Sequence, residues 1–321
     1  MFFGARAVTL IAVNSFSPAR VRHGILAGTK ALVERTLELQ APLQSKSSAR
    51  ALSVAPQPID SLGLIGSLYS LIEMNWDRST NTGADLWRWT VRRQMNARNP
   101  SPERALEKAI VEETSEWVNQ IPAAVGLASA CEGYPYDERH MNVDLARRCG
   151  PNWFELVELK AGPFPDTPLW GAFEILRYGL LYCFAREYRS RLHMPGAQVL
   201  MKAERIDLKV LATEDVYAGY DLGWLADSLD EALREFSRRK FGDGLTLQFR
   251  FEAFPRSFHW PEHKLQMRQM LAARSRYTFR SATAAPALVG AATVGYAAAS
   301  TFCAPPGTPL YAVLPHHTGS A

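Results

Sequence analysis

Apolar and polar positions change period in blocks between residues 101 and 255, and the blocks predict an orderly run of elements. In "SPERALEKAIVEETSEWVNQ", Leu106, Ile110 and Trp117 share one helical face, Ser101 can cap and Pro102 suits the first turn. That predicts a helix over 101–120. "IPAAVGLASA" predicts a short apolar strand. "HMNVDLARRC" and "WFELVELKAG" predict two strands joined by the turn Cys149-Gly150-Pro151-Asn152. "TPLWGAFEILRYGLLYCFAREYRSRL" predicts a long helix capped by Thr167, with Pro168 in its first turn and Pro195-Gly196 beyond its end. "RIDLKVLAT" then predicts a strand, "LGWLADSLDEALREFSRRKF" an amphipathic helix, and "LTLQFRFEAFP" a last strand. The order is helix, three strands, helix, strand, helix, strand. It implies an α/β fold with a mixed central sheet flanked by helices.

Composition divides the chain into three zones. Residues 1–82 begin with a short apolar run among arginines and predict a poorly ordered or loosely helical extension, in preference to a targeting peptide. Residues 83–280 hold the α/β domain. Residues 281–321 carry no Asp, Glu, Lys or Arg. Their uncharged stretch 287–304 is mostly Ala, Gly, Thr and Ser, so a low-complexity tail is expected there and a membrane span is the weaker alternative. The net charge of +4 permits a nucleic-acid partner without requiring one. Cys131, Cys149, Cys183 and Cys303 form no CxxC pair, which argues against the common zinc spacings and suits free thiols in a cytoplasmic protein. Glycine-rich nucleotide loops, GxSxG and HExxH are absent, which disfavours nucleotide-binding, serine-hydrolase and zinc-protease readings and leaves no sign of an organic cofactor.

The candidate chemistry sits on the strand–turn–strand segment. Glu158 and Lys160 are two apart on a strand and share a face, while Leu159 points to the opposite layer and leaves its carbonyl near the same edge. With a four-residue turn, Asp144 lies within one register of Glu158, and opposed cross-strand side chains sit ~5 Å apart at Cβ. Two carboxylates that close repel unless a cation separates them. A hard divalent ion with oxygen ligands suits the gap, and a neighbouring lysine can orient a water and offset developing charge. The triplet alone is a weak signal, since Asp207-Leu208-Lys209 and Glu262-His263-Lys264 share it. Only Glu158-Leu159-Lys160 has an acid 14 positions upstream on a hairpin partner, a Glu-bearing helix before it and a long helix after it.

In motif order and element order, residues 95–255 resemble the PD-(D/E)XK nuclease superfamily. The resemblance implies a restriction-endonuclease-like core in αβββαβ order with a further helix and strand. It implies Mg²⁺-dependent hydrolysis of DNA phosphodiesters that leaves a 5′-phosphate, with Mn²⁺ as a substitute ion. Asp144 matches the motif's Asp, and Glu158 and Lys160 its final acid and base. Asp144, Glu158 and the Leu159 carbonyl would hold the metal, and Lys160 would position the water. A helix acid would help: Glu107 first, then Glu113, with Glu103 one turn before Glu107. Asn142-Val143 stand where the family often has Pro. Glu174 and Tyr178 stand at the spacing of a Gln-x-x-x-Tyr pair found in some relatives.

Phosphates would need cations. Arg147 and Arg148 are nearest in sequence. Two further stretches combine arginines with aromatics: Arg88, Arg92, Arg93 and Arg98 with Trp87 and Trp89, and Lys264, Arg268, Arg274, Arg276 and Arg280. Each also reads as a solvated face whose tryptophans belong to the core. His140 reads as a general base or, more simply, a surface histidine. The alternative to an enzyme is a catalytically silent nuclease-fold module that binds nucleic acid or a protein partner, against which the intact Lys160 argues.

Overall fold

A computed structural model describes residues 24–54, 58–76, 83–92, 101–124, 141–161, 166–196 and 198–279. Among them, six strands form one open mixed sheet in sequence order. They are β1 (Trp117–Pro122), β2 (Asn142–Arg148), β3 (Trp153–Lys160), β4 (Arg205–Ala212), β5 (Thr246–Ala253) and β6 (Ser275–Arg276). β1, β2 and β3 are antiparallel neighbours, β3, β4 and β5 run parallel, and β6 closes the far edge antiparallel. The α-helices among the described residues are α1 (Thr29–Thr36), α2 (Lys46–Val54), α3 (Ser61–Asn75), α4 (Pro102–Glu113), α5 (Pro168–Glu187), α6 (Glu214–Tyr217), α7 (Gly223–Phe241) and α8 (Met267–Ala272). Parallel neighbours need crossovers, and α5 and α7 supply them.

The predicted turn joins β2 to β3. The N–H groups of Cys149 and Gly150 both donate to the Trp153 carbonyl, at 2.9 and 3.2 Å. Central strands covered on both faces are buried almost continuously, as β3 and β4 are after their first residues. On one face Phe154, Leu156, Ile206, Leu208 and Leu247 join the larger core with α5 and α7. On the other, Leu145, Val157 and Leu211 pack with Leu106 and Ile110 of α4 and with Met267 and Leu271 of α8.

Two boundaries differ from the sequence reading. The helix predicted over 101–120 ends at Glu113: Thr114 is extended, its hydroxyl donates to the Ile110 carbonyl, and Trp117–Pro122 is a strand. Pairing with β2, Trp117 opposite Arg147, overrides the helical spacing that links Trp117 to Ile110. The strand predicted at 121–130 is represented by its first two residues, at the end of β1, and residues 125–130 lie outside the described set.

Residues 29–75, expected within a poorly ordered or loosely helical extension, form three helices whose Leu64, Ile65, Leu68 and Ile72 are buried in the larger core. The cause lies in α5, which buries residues all around its circumference. A helix apolar on every side needs cover on every side, and α3 packs on α5 and α7. Asp60 caps α3 by accepting from the Gly63 N–H at 2.8 Å. No described helix is long and apolar enough to cross a membrane. The N-terminal apolar run, Cys131, Cys303 and residues 281–321 lie outside the described set.

Close approach of α5 to β4 rests on glycine. A Cβ on Gly179 would sit 2.4 Å from Leu208 Cδ1, and one on Gly171 would sit 3.1 Å from Val210 Cγ1. Leu208 is fully buried in the larger core. Gly179→Val is therefore expected to destabilise the fold by about 1–3 kcal/mol, read as a lower denaturant midpoint at unchanged slope.

Candidate active site

A cleft of about 640 Å³ opens where β3 ends between the N-terminal halves of α4 and α5. The hairpin register pairs Leu145 with Val157. One residue further along, Asp144 stands opposite Glu158, and opposed residues of an antiparallel pair share a face. Asp144 Oδ2 accepts the Leu159 N–H at 3.1 Å, which ties its carboxylate to the start of the triplet's last turn of pleat. Asp144, Glu158, Leu159 and Lys160 all line the cleft.

Lys160 is almost wholly buried, and its ammonium is ringed by carboxylates: Glu174 at 2.7 Å, Glu158 at 3.0 Å and Asp166 at 3.4 Å. Burial alone would lower its pKa, but Glu158 and Glu174 outweigh that and raise it. Glu158 is held well above the ordinary carboxylate range, by burial first and by Asp144 next. Its Oε1 meets Lys160, whereas Oε2 is buried with no hydrogen-bond partner among the described residues. An orphaned carboxylate oxygen is costly in a dry site unless a cation or donor reaches it.

Glu107 is the helix acid that reaches the cleft. It is 1% exposed, and Asn119, Arg104 and Gln120 donate to its two oxygens at 2.8, 2.9 and 3.1 Å. Burial, then Asp144, raises its pKa to about 8. Gln120 presents its amide from a left-handed backbone (φ 52°) within β1, a conformation that costs a non-glycine residue of order 1 kcal/mol or more. Glu103 also lines the cleft and accepts the Ala161 N–H at 3.1 Å. Glu113 does not line it, because the helix ends there and leaves its side chain half-exposed. Tyr178 does, and burial raises its hydroxyl pKa.

The lining holds six carboxylates (Glu103, Glu107, Asp144, Glu158, Asp166, Glu174) against three cations (Arg104, Lys160, Arg177). Asp144, Glu158 and the Leu159 carbonyl are hard oxygen donors, and the unpartnered Glu158 Oε2 fits a divalent ion chemically. As the side chains stand, Lys160 and Arg104 supply the countercharge, and among the described residues no three Asp, Glu, His or Cys side chains converge as a ligand set.

The expected phosphate-binding arginines lie elsewhere. β2 runs antiparallel to β3, so each step from Asp144 towards the turn leads away from Lys160. Arg148 is four residues along, roughly 13 Å, and its guanidinium donates to the Gly150 and Pro151 carbonyls. Arg147 points to the opposite face, towards Glu155 at 3.9 Å. Trp87 is fully buried against Tyr182, Trp89 packs on Phe154, and Arg88 pairs with Asp85. Arg274 is buried in ion pairs, Arg276 pairs with Asp227, and Arg268 donates to the Glu113 carbonyl. Arg93, Arg98, His140 and Arg280 lie outside the described residues.

Arg104, Asn119, Gln120, Asp166 and Arg177 were not singled out from the sequence, yet they complete the site. The available signal was a polar pair, Asn119-Gln120, inside the apolar stretch Trp117–Pro122. No family model, curated protein or solved structure matches this chain.

Glu107 gives the site a pH signature whose sign follows from linkage. The folded chain keeps this proton up to about pH 8, whereas an unfolded Glu releases it near ~4.3. Its stabilising contribution is complete below the unfolded value and is lost as pH rises towards 8, by up to ~1.4 kcal/mol per pH unit. Glu107→Gln removes the titration, so its denaturant midpoint should fall less than that of the wild type between about pH 5 and about pH 8. Parallel declines in the two proteins would overturn the assignment.

Proposed function

We propose that the chain is a Mg²⁺-dependent nuclease that hydrolyses DNA phosphodiester bonds on a restriction-endonuclease-like core, as a member of the PD-(D/E)XK superfamily working in the cytoplasm. The observation that carries the reading is the half-buried Asp144 and the buried Glu158, opposed across one hairpin, with Lys160 on the same face and Glu158 Oε2 unpartnered among the described residues. The run α4-β1-β2-β3-α5-β4 supports it by following the αβββαβ order. So does charge: the lining sets six carboxyl groups against three cations, and burial beside Asp144 holds protons on Glu107 and Glu158 that a bound cation would displace.

Asp144, Glu158 and the Leu159 carbonyl would hold Mg²⁺ or Mn²⁺, with Glu107 assisting. The ion, when bound, polarises a phosphoryl oxygen and makes water a better nucleophile at neutral pH. Lys160 turns its ammonium from Glu174 and Asp166 towards the attacking water and offsets the charge that develops on the phosphate. Arg104 keeps Glu107 and Asp144 oriented, with its Nη1 2.9 and 3.8 Å from their carboxylates. The water oxygen bonds to phosphorus as the P–O3′ bond breaks, which would leave a 5′-phosphate and a 3′-hydroxyl, as the resemblance implies. One observation favours the second reading, a silent module that binds nucleic acid or a protein: Lys160 is already engaged by Glu174 at 2.7 Å.

The test is cleavage of single- and double-stranded DNA with and without Mg²⁺ or Mn²⁺. Asp144→Ala and Lys160→Ala should each lose at least about 100-fold in rate while melting as cooperative folded proteins. Cleavage that survives both substitutions would sink the assignment. DNA binding without cleavage by the wild type would select the silent module.

A further inference from the structure

The sheet carries a second charged cleft, on the face opposite Lys160, that shares no lining residue with the first. Arg147 of β2 and Glu155 of β3 are register partners there, with Trp117 of β1 beside them. Lys209 of β4, Arg250 and Glu252 of β5, and Arg268 and Arg274 from the following segment complete the wall.

At its base lies a neutral quartet. Lys209 reaches Glu155 at 2.5 Å and Glu252 at 2.7 Å, and Arg274 reaches the same two carboxylates at 2.6 and 2.9 Å. The quartet satisfies itself; of the guanidiniums above it, Arg250 also meets Glu252 at 2.9 Å and Asp207 at 3.6 Å and Arg268 donates to the Glu113 carbonyl, which leaves Arg147 the least engaged. The whole lining has five cations against Glu116, Glu155 and Glu252, an excess of two positive charges. Arg147 lies over Trp117 and has only a long ionic contact, to Glu155 at 3.9 Å, and its Nε is buried without an acceptor among the described residues. Burial alone would raise the Glu155 carboxyl, yet Arg274 and Lys209 outweigh it and hold the group below its ordinary range, the mark of a positive local field.

The surplus is carried by Arg147, Arg250 and Arg268, which are partly to fully exposed at the cleft, and cations in excess of carboxylates attract an anion. Guanidinium forks match the oxygens of a phosphate better than those of a halide. A volume of about 420 Å³ suits a small ligand. The two guanidiniums over Trp117, 5.1 and 5.9 Å from its ring centroid, occupy the ring that a base would need for stacking. We infer that this cleft binds a phosphate dianion, free or as the terminal group of a phosphomonoester, through Arg147 and its neighbouring guanidiniums. The inference is independent of the nuclease reading.

The experiment titrates inorganic phosphate, and in a second arm adenosine monophosphate, into the full chain at low ionic strength, reading heat and melting midpoint. Wild type should bind saturably. Arg147→Gln should weaken binding at least about tenfold while melting normally without phosphate, because Glu155 keeps Lys209 and Arg274. Arg148→Gln makes the same charge change on the turn and should leave affinity unchanged. Tighter binding of the nucleotide assigns the phosphomonoester, and equal or weaker binding assigns free phosphate. Absence of saturable binding, unchanged affinity in Arg147→Gln, or equal losses in both variants overturns the site.

Discussion

Glu158 is a carboxylate buried beside another carboxylate, and much of the surrounding structure answers that constraint. Asp144 stands across the hairpin from it, and together with burial it pushes the Glu158 proton affinity up. Charge of that kind is tolerated only where cations lie within a few ångströms. Lys160 comes from the next position on the same face of β3, Arg104 from the first turns of α4, and Glu174 and Asp166 in turn hold the lysine. A Cβ on Gly171, one helical turn before Glu174 on α5, would come within 3.4 Å of Lys160 Cε, so the same close approach that packs α5 on β4 borders the Lys160–Glu174 pair.

One sheet thus supports two charged systems of opposite bias. Strand alternation separates them: Glu158 and Lys160 face one layer, and Glu155 faces the other with Lys209 and Glu252. The parallel register sets Glu158 beside Val210 and Glu155 beside Asp207, so the two triplets, Glu158-Leu159-Lys160 and Asp207-Leu208-Lys209, fall on opposite faces. In the second triplet Asp207 is taken by Arg205 and Arg250 and Lys209 by two glutamates. It is a buried ion network on a face where cations predominate. The first triplet ends in an open cleft where acids predominate.

Local pattern carried much of the architecture. The turn at Cys149–Asn152, the caps and prolines that start α4 and α5, and the αβββαβ order follow from periodicity and turn chemistry within windows of a dozen residues. The same windows misplaced the end of α4, since Trp117 continues the helical spacing from Ile110 while its strand partner Arg147 is distant in sequence. They also undervalued α3. Its buried Leu64, Ile65, Leu68, Tyr69 and Ile72 share one helical face towards α5 and α7, but Leu62, Leu71 and Met74 off that face blur the amphipathic pattern.

The sequence by itself determined the candidate triplet, its hairpin acid and the set of helix acids that could join them, because those depend on residue type and short spacing. Only the tertiary structure decided which members meet. It chose Glu107 over Glu113, since α4 ends before the latter can face the cleft. It sent Arg147 to the opposite face by strand alternation and Arg148 to the turn, at the far end of the hairpin from Lys160. It made Glu174 the partner of Lys160 across 14 residues. Each of these outcomes rests on strand register and helix approach, which long-range packing fixes and which no local window of sequence contains.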